Sequence, residues 1–265
     1  MIIVMKLKDK IILVTGGANG IGKGLCERFA SEGAREIIVT DLDLENAAAV
    51  AERVGGLAYR LDVSREEEVT TVVADVLGKL GRIDVVVSNA GIGGEEGCLE
   101  VSNESWQKIY DINVLSHLYL GRAVFPAMLA RGEGYFVITA SAAGLLTYPT
   151  AAPYSVTKHA AVALAEYLSY TYRDQGITVS CLCPQGVKTQ LIASKEGEPE
   201  NFLMAEAITV EDCAEAVVKG IESEKFLILP HPEVADFIVN KAQDYDRWLS
   251  WMGHFRQKIL AEREK

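Results

Sequence analysis

Short, almost unbroken apolar runs alternate along this chain with longer stretches whose apolar residues recur at helical spacing. IILVT (11–15), EIIVT (36–40), LAYRL (57–61), IDVVVS (83–88), YFVITA (135–140), ITVSCLC (177–183) and FLILP (226–230) read as strands. Runs this continuous belong to strands covered on both faces. Between them, 22–31, 44–53, 65–77, a long segment about 104–130, and 153–174 carry helical periodicity. Ile109, Ile112, Leu115, Val124 and Met128 share much of one stripe in the long segment. The alternation predicts an α/β fold with a parallel sheet, and right-handed crossovers make it a doubly wound Rossmann-type sheet of about seven strands with helices on both faces. No linker, repeat or low-complexity tract interrupts it, so residues 1–265 are expected to form a single domain.

Two segments break the rhythm. Residues 188–209 place charged, Gly and Pro positions between apolar ends, a composition suited to a substrate-loop flap. Residues 233–260 predict a C-terminal helical extension, whose Tyr245, Trp248, Leu249, Met252, Phe255 and Ile259 fall at amphipathic spacing.

Charge narrows the range of partners. A formal net charge of -11 over 265 residues repels a phosphate backbone, which argues against nucleic acid. No run approaches a membrane span, and the first residues are too short for a secretory signal. Met5 is a second plausible start, and residues 1–4 are given no role. The five cysteines form no CxxC pair and read as buried free thiols in a reducing cytoplasm. Cys181 and Cys183 are expected on opposite faces of their strand, and the scattered His and Cys suggest no metal site.

The first strand runs into TGGANGIG (15–22) and then a helix. Gly16, Gly20 and Gly22 allow a tight turn, close approach of phosphates to backbone, and helix N-terminal amides aimed at negative charge. The second strand ends at Asp41, where a carboxylate can accept hydrogen bonds from the adenosine ribose hydroxyls. A ribose phosphate there would meet like charge from Asp41 and Asp43, a repulsion of roughly 4 kcal/mol before screening. NAD is therefore expected over NADP. Asp62 and Val63 close the third strand where adenine would lie, and the small residues of Ser88-Asn89-Ala90-Gly91 let a nucleotide rest against the fourth.

Tyr154 and Lys158, four apart on a helix starting near Pro153, share one face. A free phenol has a pKa near 10, about 3 units too high for a neutral-pH base. An ammonium and an oxidised nicotinamide beside it would favour the phenolate by roughly 4 kcal/mol. Ser141 lies just past the fifth strand, at the sheet edge where open α/β folds bind ligands.

In their order, these motifs resemble the short-chain dehydrogenase/reductase family over about residues 7–230. The resemblance implies an oxidoreductase with a tetrad of Asn113, Ser141, Tyr154 and Lys158. Tyr154 would be the general acid/base, Ser141 would orient the substrate oxygen, Lys158 would lower the tyrosine pKa and hold the nicotinamide ribose, and Asn113 would fix a relay water. The cofactor would lie against Gly16, Asn19, Gly20, Ile21 and Gly22, then Asp41, Asp62 and Val63, then Asn89, Ala90 and Gly91. Tyr154 and Lys158 would also touch it, as would Pro184, Gly186, Val187 and Thr189 of the turn after the sixth strand.

Two departures from the family pattern stand out: Ser88 replaces the first Asn of N-N-A-G, and Gln185 stands where Gly is usual. Gln185 is expected to reach the substrate or reshape its floor. Apolar Leu145, Leu146, Tyr148, Leu191, Ile192 and Trp248 are candidates to face the substrate, which favours an apolar or cyclic secondary alcohol or ketone. A β-ketoacyl-thioester reductase, acting on a carrier-protein or coenzyme A thioester, is the alternative, and a non-catalytic NAD-sensing protein a remote one. The resemblance further implies a homodimer or homotetramer.

Overall fold

A computed structural model describes residues 6–193 and 202–263. Its strands are β1 (Ile11–Thr15), β2 (Glu36–Asp41), β3 (Leu57–Arg60), β4 (Val85–Ser88), β5 (Gly134–Thr139), β6 (Ile177–Leu182) and β7 (Leu227–Ile228). They form one 7-stranded sheet in the order β3-β2-β1-β4-β5-β6-β7, and every pairing is parallel. The order reverses between β1 and β4, the switch point at which such sheets hold ligands beyond their carboxyl ends.

The helices α1 (Gly20–Ser31), α2 (Leu44–Val54) and α8 (Val210–Glu222) cover one face, and α3 (Glu66–Leu80), α5 (Ser116–Arg131) and α7 (Ala152–Tyr172) the other. Period-2 alternation sorts the strand residues between them. Ile11 and Leu13 of β1 join Val69, Leu120 and Ala161, while Ile12 and Val14 join Leu25, Phe29 and Val217. Each such fully buried aliphatic contributes roughly 1.5–3 kcal/mol against leaving it in water.

The long 104–130 pattern is not one helix. α4 (Asn103–Tyr110) passes through a π-turn (Asp111–Leu115) before α5 begins. Asn113 lies within the turn, and its side chain is engaged with the backbone of Ile92, a tertiary contact invisible in a helical pattern. α6 (Ala143–Leu146) and α8 also interrupt the simple alternation. α8 carries a capping box, Thr209 with Asp212, that marks its start. The last apolar run shrinks to the two residues of β7.

The C-terminal extension divides into α9 (Glu233–Gln243) and α10 (Tyr245–Arg263), separated at the extended Asp244. Both ends of the expected flap are pinned together, since Lys188 N donates to Ile208 O at 3.0 Å and Ile208 N to Gly186 O at 3.0 Å. Its middle, 194–201, lies outside the described residues, as do Met5 and the four residues before it. Cys181 and Cys183 correct the opposite-face expectation. Their sulfurs are 3.7 Å apart, because residues two apart on a strand share a face. Among the described residues, no helix is long and apolar enough to cross a membrane, and no group of three or more His, Cys, Asp or Glu could hold a metal ion.

Candidate active site

A cleft of about 990 Å³ opens at the carboxyl ends of the strands. Gly16, Asn19, Gly20 and Ile21 line one end, with Asp41, Asp62, Val63, Asn89, Ala90 and Gly91 beside them; Ser141, Tyr154, Lys158, Pro184, Gly186, Val187 and Thr189 line the rest of the same space. Of the catalytic and cofactor-binding residues singled out in the sequence, only Gly22 and Asn113 stay off its wall.

The turn after β1 is built by steric exclusion. Gly16 has φ +65, and a Cβ there would sit 2.9 Å from Ala90 Cα. A Cβ on Gly22 would lie 2.0 Å from Gly16 O, so Gly22 acts beneath the cradle by letting α1 press against the turn. The Thr15 hydroxyl accepts from the amides of Asn89 and Ala90 at 2.9 and 3.1 Å, which locks the ends of β1 and β4 together. Asn19 precedes α1 without a side-chain cap, and the first turn has no acidic residue. Its amides thus keep their attraction for an anion.

Asp41 accepts from Ala18 N and from Asp43 N, both at 3.1 Å. Capping of α2 falls to Asp43, which accepts from Asn46 N at 3.1 Å and is held below the usual carboxylate range by that amide. Asp41 is therefore not the helix cap, and it faces the cleft. Asp62 accepts from the amide and hydroxyl of Ser64 at 3.0 and 2.6 Å, which turns the chain after β3.

At the other end, α7 presents Tyr154 and Lys158. Gly144 of α6 sits against this helix where a Cβ would fall 2.4 Å from the Lys158 carbonyl oxygen. Lys158 is 4% exposed, and its Nζ donates to Thr139 O at 3.1 Å and lies 5.7 Å from the Tyr154 ring centre. Burial pushes its amine down to about 8. Burial also raises the Tyr154 phenol, opposed by the Ser141 hydroxyl, which favours the phenolate. The lowering expected from sequence is therefore not supplied by these side chains on their own. Ser141 itself accepts from Ala143 N at 3.1 Å and donates to Pro184 O at 3.4 Å. Behind Gly91, Asn113 Oδ1 accepts from Ile92 N and its Nδ2 donates to Ile92 O, both at 2.9 Å, so its side chain fixes the loop after β4.

Several site features escaped the sequence reading. Gln185 lines the cleft, and it is held there by contacts the sequence did not reveal: its Nε2 donates to Glu233 Oε1 at 3.1 Å and its amide to His231 Nδ1 at 3.2 Å, which anchors the loop to α9. Leu145 joins the core rather than the cleft, and its carbonyl accepts from Lys241 Nζ at 2.7 Å. Leu146, Tyr148, Leu191, Ile192 and Trp248 do line the cleft. They are joined by an aromatic wall in which Tyr148 meets Phe202 at 5.5 Å, Phe202 meets Phe255 at 5.4 Å, and Phe255 stacks on Trp251 at 5.2 Å. The helical spacing of Trp251 and Phe255 was the available signal; Phe202 had none.

A doubly wound parallel sheet, an anion-accepting glycine turn at its switch point and one cleft holding a buried Tyr/Lys/Ser group define an NAD(P)-binding oxidoreductase of Rossmann type. The short chain dehydrogenase family model matches residues 10–200, and the chain belongs to that family. It is 35% identical over 194 residues to a 3beta-hydroxysteroid dehydrogenase from Mediterraneibacter gnavus, covering 71% of this chain and 70% of the relative. It is 30% identical over 231 residues to a cyclohexanol dehydrogenase from an Acinetobacter species, covering 80% and 92%. A solved short chain dehydrogenase/reductase from Burkholderia phymatum, in complex with NAD, superposes with a TM-score of 0.82 at 26% identity, covering 91% of this chain and 96% of that one.

Proposed function

We propose that the protein oxidises an apolar or cyclic secondary alcohol, or reduces the matching ketone, with NAD(H) as cofactor. The observation that carries this reading is that Ser141, Tyr154 and Lys158 line the same cleft as the glycine turn and Asp41. The residues present fit a dinucleotide: the α1 amides are uncapped by side chains, and Gly16 and Gly20 leave the turn bare where the cleft reaches it. Asp41 would hold the adenosine ribose hydroxyls and repel a phosphate on them. Gly91, Val187 and Thr189 would line the nicotinamide end. When bound, the nicotinamide accepts or returns the hydride.

The chain itself handles the proton. Tyr154 Oη removes it from the substrate hydroxyl during oxidation and returns it to the carbonyl oxygen during reduction. Ser141 Oγ hydrogen-bonds that same oxygen. Because burial raises the free phenol, Tyr154 becomes a competent base only with positive charge beside it, from Lys158 and the oxidised ring. The aromatic wall excludes water and favours a flat apolar substrate; the names of the hydroxysteroid and cyclohexanol dehydrogenases agree with that preference.

The same reading makes the protein a cytoplasmic homodimer or homotetramer, consistent with the exposed Val156, Tyr167 and Tyr170 on α7. Light scattering tests the assembly. A panel of cyclic and open-chain secondary alcohols, run with NAD and NADP in parallel, tests the chemistry. Turnover confined to small polar polyols would refute the substrate class.

A further inference from the structure

Thr147, the residue after α6, has φ +75 and ψ +130, a region that a β-branched side chain rarely adopts. Strain of this kind persists only where the surroundings over-determine it. Packing around Thr147 is not the cause, because the residue is exposed. The restraint comes from backbone groups on either side. Thr147 N donates to Ala143 O at 3.1 Å, which closes α6. One residue on, the Ser155 hydroxyl accepts from Tyr148 N at 2.8 Å, and its proton is shared between Tyr148 O at 3.2 Å and Ala151 O at 3.0 Å. Both backbone polar groups of Tyr148 are thus held by one buried side chain.

Ser155 follows Tyr154 on α7, so the clasp rides on the same helical turn as the phenol. It sets the Tyr148 ring edge-on to the Tyr154 ring, with centres 6.0 Å apart and planes at 80°. On its other side Tyr148 meets Phe202, so it is the ring of the aromatic wall that borders Tyr154. The far end of this loop is pinned to the segment after β4: Gly97 N donates to Thr150 O at 2.8 Å, and Ala152 N to Gly97 O at 2.9 Å. The freedom left to the loop therefore lies at Thr147 and Tyr148. Room to use it exists, since Leu146, Thr147, Trp248 and Met252 line both the cleft and a second hollow of about 190 Å³. A turn that gave up its positive φ would carry the Tyr148 ring away from Tyr154, and the Ser155 hydroxyl opposes that movement.

We propose that Ser155 is a positioning residue for substrate selection: by clasping Tyr148 against the strained Thr147, it holds the Tyr148 ring as the specificity-determining contact beside the reacting carbon. The proposal rests on the reading of Tyr154 as acid/base and of the cleft as the substrate site. Because the Tyr148 ring borders the phenol, its contact falls on the substrate atoms next to the carbinol carbon, not on a remote part of the molecule. The class this favours is a secondary alcohol whose carbinol carbon is itself part of a ring. A short open-chain alcohol offers too little apolar surface there to gain from the contact.

The test is the ratio of kcat/KM for cyclohexanol to that for propan-2-ol in Ser155→Ala, Tyr148→Ala and the double variant Ser155→Ala/Thr147→Gly, with Tm and NADH binding measured alongside. Ser155→Ala should lower the ratio by about three- to tenfold, the weight of one net hydrogen bond, and mainly through KM for cyclohexanol. Tyr148→Ala should lower it by roughly tenfold, the weight of an aromatic contact. The double variant should recover most of the ratio lost in Ser155→Ala, because glycine adopts the positive φ without the Cβ penalty and no longer needs the clasp. A folded Ser155→Ala with an unchanged ratio overturns the proposal, as does a double variant that recovers nothing. If Ser155→Ala does not fold, Tyr148→Ala decides: a fallen ratio supports the role, and an unchanged one overturns it. Tyr154→Phe separates the two claims, since its retained turnover would sink the acid/base reading itself, whereas its inactivity beside an unchanged Ser155→Ala ratio removes only the clasp.

Discussion

The Asp41 carboxylate accepts the Ala18 amide at 3.1 Å, which ties the end of β2 directly to the glycine turn. A group placed at residue 18 thus stands next to the position that would discriminate the ribose. Replacing Asp41 with Ala and Ala18 with Arg removes the repulsion and adds a guanidinium suited to phosphate. The expected outcome is a shift of the NAD/NADP ratio of kcat/KM toward NADP by at least about tenfold, given a charge effect of a few kcal/mol before screening. An unchanged ratio would remove Asp41 from the cofactor assignment.

Gly22 lies off the cleft but beneath its turn. Because the obstacle to a Cβ there is the backbone oxygen of Gly16, at 2.0 Å, no side-chain rotation relieves it. Gly22→Ala should cost roughly 1–3 kcal/mol of stability and weaken NADH binding together. Gly78, with nothing within 4 Å of its Cβ position, is the control: Gly78→Ala should leave NADH binding unaltered. Thermal melts and NADH fluorescence titrations read both effects.

Lys158 costs the folded protein stability. Its amine falls from 10.5 to about 8 on burial, roughly 3 kcal/mol of disfavoured charge. The folded state binds fewer protons than the unfolded chain between those pH values, so this contribution rises with pH: the cost is complete below about 8 and gone above 10.5. Lys158→Met should therefore be inactive yet more stable at pH 7 without cofactor, with the advantage shrinking as pH climbs through that window. A Met variant less stable at pH 7 would contradict the burial argument.

The sheet and the glycine turn were legible because their signals are local: β1 through β6 are runs of apolar residues, and Gly16 and Gly20 follow one of them directly. What failed depends on contacts between distant segments. The break in the long helical pattern at Asn113 is accompanied by its bonds to Ile92, and the anchoring of Gln185 to α9 depends on its bond to Glu233. For the Tyr154 phenol, spacing revealed a neighbouring ammonium but not the depth of burial that opposes it in the chain without cofactor. Leu145 and Leu146 are adjacent on a short helix, so one faces the core and the other the cleft, a choice composition does not encode.

The last part of the site lies beyond the stretch matched by the family model, which ends at 200. Phe202 and α10 complete the aromatic wall, and α10 is fastened across the cleft by Arg263, whose Nη2 donates to Glu96 Oε1 at 2.9 Å. Glu96 is also held by Thr150 Oγ1 at 2.8 Å, and it is drawn below the usual carboxylate range chiefly by Arg263. If this wall selects the substrate, Phe255→Ala should lower kcat/KM for a bulky cyclic alcohol by roughly tenfold, the weight of an aromatic contact, and leave propan-2-ol nearly unaffected. Arg263→Ala should act in the same direction and more weakly, because an exposed ion pair contributes little by itself. Equal losses on both alcohols would assign the wall to stability and leave selectivity to the residues around Tyr148.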